Sequence, residues 1–196
     1  MASSHFAHQT NKQEQLEHLF HSLYPYDNDN HFNRLLQIMA AAASDRSDTL
    51  KAADQGDSNW YMSNHLVGMM LYTDLFAGDL ARVIEKIPYF KELGITYIHF
   101  MPLLKARDGE NDGGYAVADY REIDPRFGTM DQFRDLVARL RAEGIHVCLD
   151  YVVNHTAKDH DWALRALAGE KEYQDLYFMY DTDDVPRKFE ETVPEV

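Results

Sequence analysis

Polar side chains that could perform chemistry stand at the end of an apolar run at residues 146–155, whose sequence is HVCLDYVVNH. The first part of this run is rich in Val, Leu and Cys, which predicts a buried parallel strand over residues 145–152. The carboxyl ends of parallel strands face the active site in α/β folds. We therefore expect Asp150, Asn154 and His155 to belong to a catalytic cluster, together with the upstream segment GGYAVADY.

The elements that must position this cluster alternate between strands and helices. Apolar runs predict strands at residues 69–72 and 96–101. Between these strands, Asp79 is a good N-cap for a helix, because its side chain can accept a hydrogen bond from the first turn. Pro88 cannot continue the helical hydrogen-bond ladder, so a break or kink is expected there.

A second strand and helix pair leads to the strand that ends in the cluster. Residues 102–128 are rich in Gly and Asp and are predicted to form a long loop. Thr129 and Gln132 then have the spacing of a capping box, which predicts the start of a helix. The whole alternation predicts a parallel sheet with right-handed crossovers. Three strands suit either a barrel or an open sheet, and periodicity alone does not separate the two.

The segments on either side of this alternation have different patterns. Apolar residues recur at helical spacing over residues 12–23, and again over residues 32–43 after a break at residues 24–30. A polar segment then leads to Trp60. Beyond His155 the aromatic residues are scattered among charges, and no helix is predicted there.

The composition excludes several classes of partner. Lys and Arg number 19 against 33 Asp and Glu, a formal net charge of −14, which opposes nucleic acids and anionic membranes. The sequence shows no secretory signal and no apolar stretch long enough to cross a membrane. Cys148 is the only cysteine, so it has no intrachain disulfide partner and is expected to pack as a small apolar residue. A cytoplasmic protein is the expectation.

Two motifs carry a resemblance to a known family. DGGY at residues 112–115 and DYVVNH at residues 150–155 resemble the α-amylase superfamily, glycoside hydrolase family thirteen. YTDLFAGDL at residues 72–80 and MPL at residues 101–103, with GGYAV of the loop, look like amylosucrases and sucrose hydrolases. The likeness extends from about residue 60 onward, with the motifs in the family's order and spacing.

The resemblance implies a fold and a division into domains. It implies an α/β chain that holds the first three strands of a (β/α)8 TIM barrel and therefore an incomplete barrel. Residues 1–60 would form a helical N-terminal extension, and residues 61–155 the first part of the catalytic barrel. Residues 156–196 would begin the inserted B domain.

The resemblance also implies an activity. Family members use retaining chemistry at an α-glucosidic bond, in which one carboxylate forms a covalent glucosyl-enzyme and a second acts as acid and then base. The expected substrate is sucrose, with glucose passed to an α-glucan acceptor or to water. Another family enzyme, an α-glucosidase or a trehalose synthase, is the alternative. The family's nucleophilic Asp and acid/base Glu lie on later strands, beyond Val196, so the chain alone is expected to be inactive.

Five residues of this sequence match functional positions of the family. His155 would hydrogen-bond the glucosyl unit and support the transition state, while Tyr115 would lie under the sugar as an aromatic platform. Asp112 would pair with an arginine that closes the pocket. Asp150 would orient neighbouring groups. Asn154 corresponds to a calcium ligand in many α-amylases, but amylosucrase-like members generally lack that ion, so no metal and no other cofactor are expected.

Other interpretations of the same residues stay open. His155, His160 and Asp161 follow Asp150 closely enough to suggest a divalent-metal hydrolase, although the spacing fits no established ligand motif. A non-catalytic sugar-binding fragment is a third possibility. Taken singly, His155 could be a structural histidine and Tyr115 a loop residue that packs on the core.

Overall fold

The computed structural model describes residues 2–25, 30–56 and 59–191. The chain divides into two compact units, residues 1–60 and residues 61–196. None of the helices in these described ranges is long and apolar enough to cross a membrane. The assignment of residues 61–155 to a barrel and of residues 156–196 to an inserted domain stays a prediction.

The first unit is helical, as its apolar periodicity predicts. Phe20 and Phe32 pack together, with ring centroids 5.3 Å apart. The polar segment before Trp60 contains a third helix, which the sequence analysis does not single out, and an ion pair of 2.6 Å joins Arg46 to Asp54 there. The predicted break at residues 24–30 lies partly outside the described residues. The helices are α1 (Ala2–Leu23), α2 (His31–Asp45) and α3 (Asp48–Gly56).

The second unit contains two sheets within its described residues, 61–191. A parallel sheet has the strand order β1-β2-β5, and an antiparallel pair joins β3 to β4. The predicted parallel sheet is therefore confirmed. The strands are β1 (Gly68–Leu71), β2 (Tyr97–Phe100), β3 (Leu104–Ala106), β4 (Val117–Ile123) and β5 (His146–Leu149). The helices are α4 (Thr73–Phe76), α5 (Leu80–Glu85), α6 (Ile87–Glu92), α7 (Met130–Ala142), α8 (Asp161–Leu167), α9 (Lys171–Gln174) and α10 (Asp184–Glu190).

Local signals in the sequence fix where the inner helices begin. The Asp79 side chain accepts a hydrogen bond of 2.8 Å from the backbone N–H of Arg82 at the start of α5. Thr129 and Gln132 form both hydrogen bonds of the predicted capping box at the start of α7. The break expected at Pro88 separates α5 from α6, where proline occupies the first turn and no N–H is needed. These three predictions are confirmed.

The core lies on one face of the parallel sheet. Alternate residues of β2, Ile98 and Phe100, are fully buried against the helices, and the residues between them lie on the opposite face. Their buried neighbours come from all three inner helices: Leu80, Val83, Phe90, Leu136 and Leu140. This packing leaves the second face of the sheet for polar groups.

The prediction of a buried third strand is wrong for β5. His146 is exposed, and Val147, Cys148 and Leu149 are only partly buried. β5 is an edge strand of the parallel sheet. Its last paired residue is Leu149, opposite Phe100 of β2, so the strand ends there and does not extend to residue 152.

The long loop and the helix-free ending that the sequence predicts are also corrected. Residues 102–128 contain the β3–β4 hairpin, whose irregular register hides the strand signal. After His155 the chain forms α8, α9 and α10, which are too short for a helical period to be visible.

Asp124 closes the base of this hairpin. Its backbone N–H donates a hydrogen bond of 2.9 Å to the carbonyl oxygen of Leu103, and its side chain is only 7% exposed. The carboxylate accepts hydrogen bonds from Nε and Nη2 of Arg126 at 2.9 and 3.0 Å. Burial opposes ionisation, but the hydrogen bonds from Arg126 outweigh it and hold the pKa of Asp124 below its ordinary value.

Asp124→Asn is expected to lower the free energy of unfolding by about 2 kcal/mol at pH 7, because hydrogen bonds to a charged group are lost. A lowered folded-state pKa gives stability that is present at neutral pH and is lost as the pH falls through that pKa. The difference between the two proteins should therefore shrink in acid. Urea unfolding followed by circular dichroism at pH 7 and at pH 3 measures it.

The matched control for this prediction is Asp131→Asn. This substitution removes an ion pair between Asp131 and Arg134, in which the Asp131 side chain is 89% exposed. Exposed pairs contribute little, so the control should change the unfolding free energy by less than about 0.5 kcal/mol. Equal effects of the two substitutions at pH 7 would show that Asp124 does not anchor the hairpin.

Candidate active site

The Asp150 carboxylate lies at the carboxyl end of the parallel sheet and joins two other side chains. Its Oδ1 is 3.0 Å from Nε2 of His99 on β2. Its other oxygen, Oδ2, accepts a hydrogen bond of 2.9 Å from the Tyr115 hydroxyl. The His99 and Asp150 side chains are 31% and 22% exposed, so the group is partly shielded from water. A carboxylate bound at both oxygens is held in one orientation.

A tight turn between β3 and β4 sets the backbone of Tyr115. Asn111 opens this turn, and its side-chain oxygen accepts a hydrogen bond of 3.0 Å from the N–H of Gly114. Gly114 has φ of 100°, a conformation that favours glycine. A Cβ at this position would also lie 2.9 Å from Cβ of Pro102. The glycine is thus required for the turn to lie against the segment that follows β2.

His155 lies beside the same turn. Its Nε2 is 3.3 Å from the backbone oxygen of Tyr115, and its Nδ1 is 3.4 Å from Nδ2 of Asn154. The Tyr120 hydroxyl of β4 lies within hydrogen-bond distance of two backbone oxygens, at 2.7 Å from Val152 and 3.1 Å from His155. Tyr120 therefore ties the segment that carries His155 to the hairpin that carries Tyr115.

The electrostatics of this group keep the Tyr115 hydroxyl protonated. Burial raises the pKa of Tyr115 to about 12, and its hydrogen bond to the negative Asp150 acts in the same direction. Asp112, an exposed residue of the same turn, adds a smaller effect of the same sign. At neutral pH the phenol is a hydrogen-bond donor, which matches its observed role toward Asp150.

The structure brings together most of the residues that the sequence selects. Tyr115, Asp150 and His155 form one group, and Asn154 contacts the His155 ring. Asp112 is placed in the Tyr115 turn. Their roles toward a ligand stay predictions.

Sequence reasoning missed His99. The signal was available in the alternation of β2, because Ile98 and Phe100 are fully buried and any polar residue between them must lie on the other face. That face also carries Asp150. A strand histidine without a recognised motif gave no reason to choose it beforehand.

This arrangement suits the binding of a sugar. The face of an aromatic ring accepts the apolar C–H face of a pyranose, and the imidazole and carboxylates around it can bind hydroxyl groups. A family model described as the catalytic domain of alpha amylase matches residues 6–195. The chain belongs to the alpha-amylase catalytic domain family. The family that the resemblance implied is thereby confirmed.

Named relatives in the alpha-amylase family act on several sugars. Maltase 1 of Drosophila virilis is 35% identical over 143 residues, which cover 69% of this chain and 22% of the maltase. The trehalose-6-phosphate hydrolase of Escherichia coli K12 is 39% identical over 104 residues, which cover 53% of this chain and 18% of the hydrolase. The chain therefore spans about a fifth of the length of these relatives.

Solved structures of the alpha-amylase family confirm the predicted fold class. A mutant isomaltulose synthase of Erwinia rhapontici NX5, in complex with its natural substrate sucrose, has a TM-score of 0.55 and 30% identity. The match covers 61% of this chain and 22% of the synthase. Such enzymes are TIM barrels, and the residues described here form three parallel strands of an α/β fold without a closed barrel.

His160, a candidate for a metal site, has another use. It is 5% exposed, its Nδ1 accepts a hydrogen bond of 3.1 Å from the N–H of Trp162, and its ring packs against Tyr120. Within residues 2–25, 30–56 and 59–191, no group of three or more His, Cys, Asp or Glu could hold a metal ion. The set proposed for a metal hydrolase, His155, His160 and Asp161 near Asp150, is thus not brought together.

A surface cavity of about 400 Å³ lies in the segment from α9 onward, and its lining includes none of the residues of this cluster. We place the candidate site at the strand ends instead, because the hydrogen-bonded polar groups converge there. Volume alone does not supply groups that recognise a ligand. The cavity is lined by Lys171, Gln174, Asp175, Tyr177, Phe178, Met179 and Tyr180.

Tyr115→Ala is expected to lower kcat/KM by roughly 10- to 100-fold in an active protein that contains this chain, since burial of an aromatic side chain is worth about 1.5–3 kcal/mol. KM should rise and kcat should fall, because the substitution removes both the ring face and the hydrogen bond from the Tyr115 hydroxyl to Asp150. Steady-state kinetics measure both constants. Tyr180→Ala, at the surface cavity, is the control and should leave them unchanged. A lowered melting temperature with normal kinetics would make Tyr115 a structural residue only.

Proposed function

We propose that this chain is part of a retaining α-glucoside-active enzyme that acts on sucrose, with glucose passed to an α-glucan acceptor or to water. The observation that carries the proposal is the convergence of Tyr115, Asp150 and His155 at one edge of the sheet. An aromatic ring with donors and acceptors at its rim is an arrangement that suits one sugar ring.

Each residue of the cluster has a distinct part in this proposal. The Tyr115 ring lies under the glucosyl unit, and the imidazole of His155 binds one of its hydroxyl groups and supports the transition state. Asp112 closes the pocket through an arginine of the remaining domain. Asn154 supports the His155 ring, which it contacts at 3.4 Å.

Asp150 is better suited to orientation than to attack. Both of its oxygens already accept or share hydrogen bonds, with His99 and Tyr115, and a nucleophilic carboxylate needs a free oxygen directed at the sugar. Retaining glycosidases use two carboxylates about 5–5.5 Å apart. We assign that pair to other parts of the catalytic domain.

The choice of sucrose rests on two kinds of support. The segment YTDLFAGDL at residues 72–80 and the MPL at residues 101–103 look like those of amylosucrases and sucrose hydrolases. The isomaltulose synthase relative has sucrose as its natural substrate. The maltase and trehalose-6-phosphate hydrolase relatives favour the alternative, another α-glucosidase of the family or a trehalose synthase.

A cytoplasmic location belongs to the same proposal. Cys148 is the only cysteine in the sequence, and a chain without an intrachain disulfide suits a reducing compartment. The formal net charge of −14 argues against nucleic acid and anionic membranes as partners. A neutral sugar is compatible with this charge.

The activity is tested with a protein that carries this chain within a complete catalytic domain. Sucrose, maltose, trehalose and isomaltulose are offered separately, and released fructose or glucose is measured. We expect turnover with sucrose above the other sugars, and none from the 196-residue chain alone. Preference for maltose or trehalose would support the alternative substrates. Fructose release by the chain alone would contradict the assignment of the carboxylate pair to other parts of the domain.

A further inference from the structure

His99 lies on the polar face of the parallel sheet, beside the candidate site. β2 and β5 pair in parallel, with His99 opposite Cys148 in register. Ile98 and Phe100 turn into the core, so His99 points to the other face, as does Cys148. Asp150 follows Cys148 by two residues, directly after the end of β5. The imidazole reaches diagonally across the strand pair to this carboxylate, with Nε2 and Oδ1 3.0 Å apart.

Asp150 needs a side-chain partner to fix its carboxylate, because it lies beyond the last paired residue of β5. β5 ends at Leu149, so Asp150 lies outside the regular ladder of hydrogen bonds. Within the part of the chain that the structure describes, the hydrogen-bond partners of its carboxylate are His99 and Tyr115. Without His99, the carboxylate could rotate and the Tyr115 hydroxyl would lose a fixed acceptor.

Tyr115 depends on that acceptor for the position of its ring. Its backbone end is fixed by the turn, where its N–H donates a hydrogen bond of 3.2 Å to the carbonyl oxygen of Asp112. Its hydroxyl end is fixed by Asp150 at 2.9 Å. A ring held at both ends presents one face at a constant angle, which a sugar platform requires.

We propose that His99 is a positioning residue that acts through Asp150 to fix the Tyr115 ring. Its value to the enzyme rests on the proposed function, because the ring matters only if it lies under a sugar. The Nε2–H of His99 donates to one oxygen of Asp150 and leaves the other oxygen directed at the Tyr115 hydroxyl. His99 itself is not assigned any contact with the sugar.

The neighbours of His99 are compatible with this role. Tyr97 precedes it on the same face of β2, and a hydrogen bond to Cys148 raises the pKa of Tyr97 to about 12. Tyr97 and Cys148 are therefore engaged with each other. The negative group that faces the His99 imidazole is Asp150.

The test uses the 196-residue chain labelled with ¹³C at Cζ of its tyrosines, because this resonance responds to hydrogen bonding of the hydroxyl. Tyr115→Phe identifies the Tyr115 signal. The signal is then compared in Asp150→Ala, His99→Leu and His99→Gln, and the affinity for glucose and sucrose is measured by titration. His65→Leu, an exposed histidine outside the cluster, is the matched control.

We expect His99→Leu to move the Tyr115 signal in the same direction as Asp150→Ala and to weaken sugar binding roughly tenfold, as for loss of a hydrogen bond to a charged group. His99→Gln retains an N–H donor at a similar reach and should restore both readouts. The melting temperature should stay close to that of the unsubstituted chain, since His99 is partly exposed. His65→Leu should change nothing.

The positioning role is overturned if His99→Leu leaves the Tyr115 signal in place while Asp150→Ala moves it. It is also overturned if His99→Gln shifts the signal as far as His99→Leu does, because the donor would then be irrelevant. Failure of the unsubstituted chain to bind either sugar would count against the proposed function, and the Tyr115 signal would still decide the role of His99.

Discussion

Replacing His155 with alanine is expected to lower kcat about 100- to 1000-fold in an active protein that contains this chain, which is the usual cost of removing one transition-state hydrogen-bond donor. The imidazole is exposed and lies beside the Tyr115 turn, with Nε2 3.3 Å from the Tyr115 carbonyl oxygen. That contact is long for a hydrogen bond, so a substrate hydroxyl could replace it.

The kinetic pattern distinguishes this role from a general loss of structure. A donor that binds the transition state more strongly than the substrate changes kcat more than KM. His155→Gln should recover part of the activity because it retains a donor. His65→Ala serves as the control, as an exposed histidine away from the cluster. Unchanged turnover in His155→Ala would remove His155 from the catalytic residues.

Replacing Phe90 with alanine is expected to lower the free energy of unfolding by about 3–5 kcal/mol, the usual cost of truncating a buried aromatic residue. Phe90 is 0% exposed, and its ring stacks on Phe76 with centroids 5.5 Å apart and an angle of 20°. It belongs to the core that supports β2. Such a loss is a large part of the 5–15 kcal/mol that stabilises an ordinary domain.

Tyr89→Ala provides the comparison, since Tyr89 is the preceding residue of α6 and is 44% exposed. It should lower the unfolding free energy by less than about 1.5 kcal/mol, because less apolar surface is lost from the interior. Urea unfolding of both variants measures the difference. Similar effects at the two positions would mean that the core is not packed as described.

Features that depend on a few neighbouring residues could be predicted from the sequence. The caps at Asp79 and Thr129 and the break at Pro88 arise from hydrogen bonds or sterics within one helical turn, and all three are present. Features that depend on distant partners could not. The partial burial of β5 depends on its place at the edge of the sheet, and its apolar sequence does not indicate that place.

The candidate site shows the same division. The turn at Tyr115 and the strand end at Asp150 were recognisable from their motifs, although 35 residues separate their hydrogen-bonded side chains. His99 could not be recognised from a motif, because its proposed role depends on a contact with Asp150, which lies 51 residues away in the chain. The β3–β4 hairpin was missed for a related reason, since its shifted register gives no regular alternation.

The central claim is that Tyr115 and His155 bind a single hexose ring. A crystal structure of the chain soaked with sucrose or glucose tests this claim most directly. We expect a pyranose with one face against the Tyr115 ring and a hydroxyl group within about 3 Å of Nε2 of His155. A sugar bound in the cavity lined by Tyr177 and Tyr180, with the Tyr115 ring bare, would contradict it.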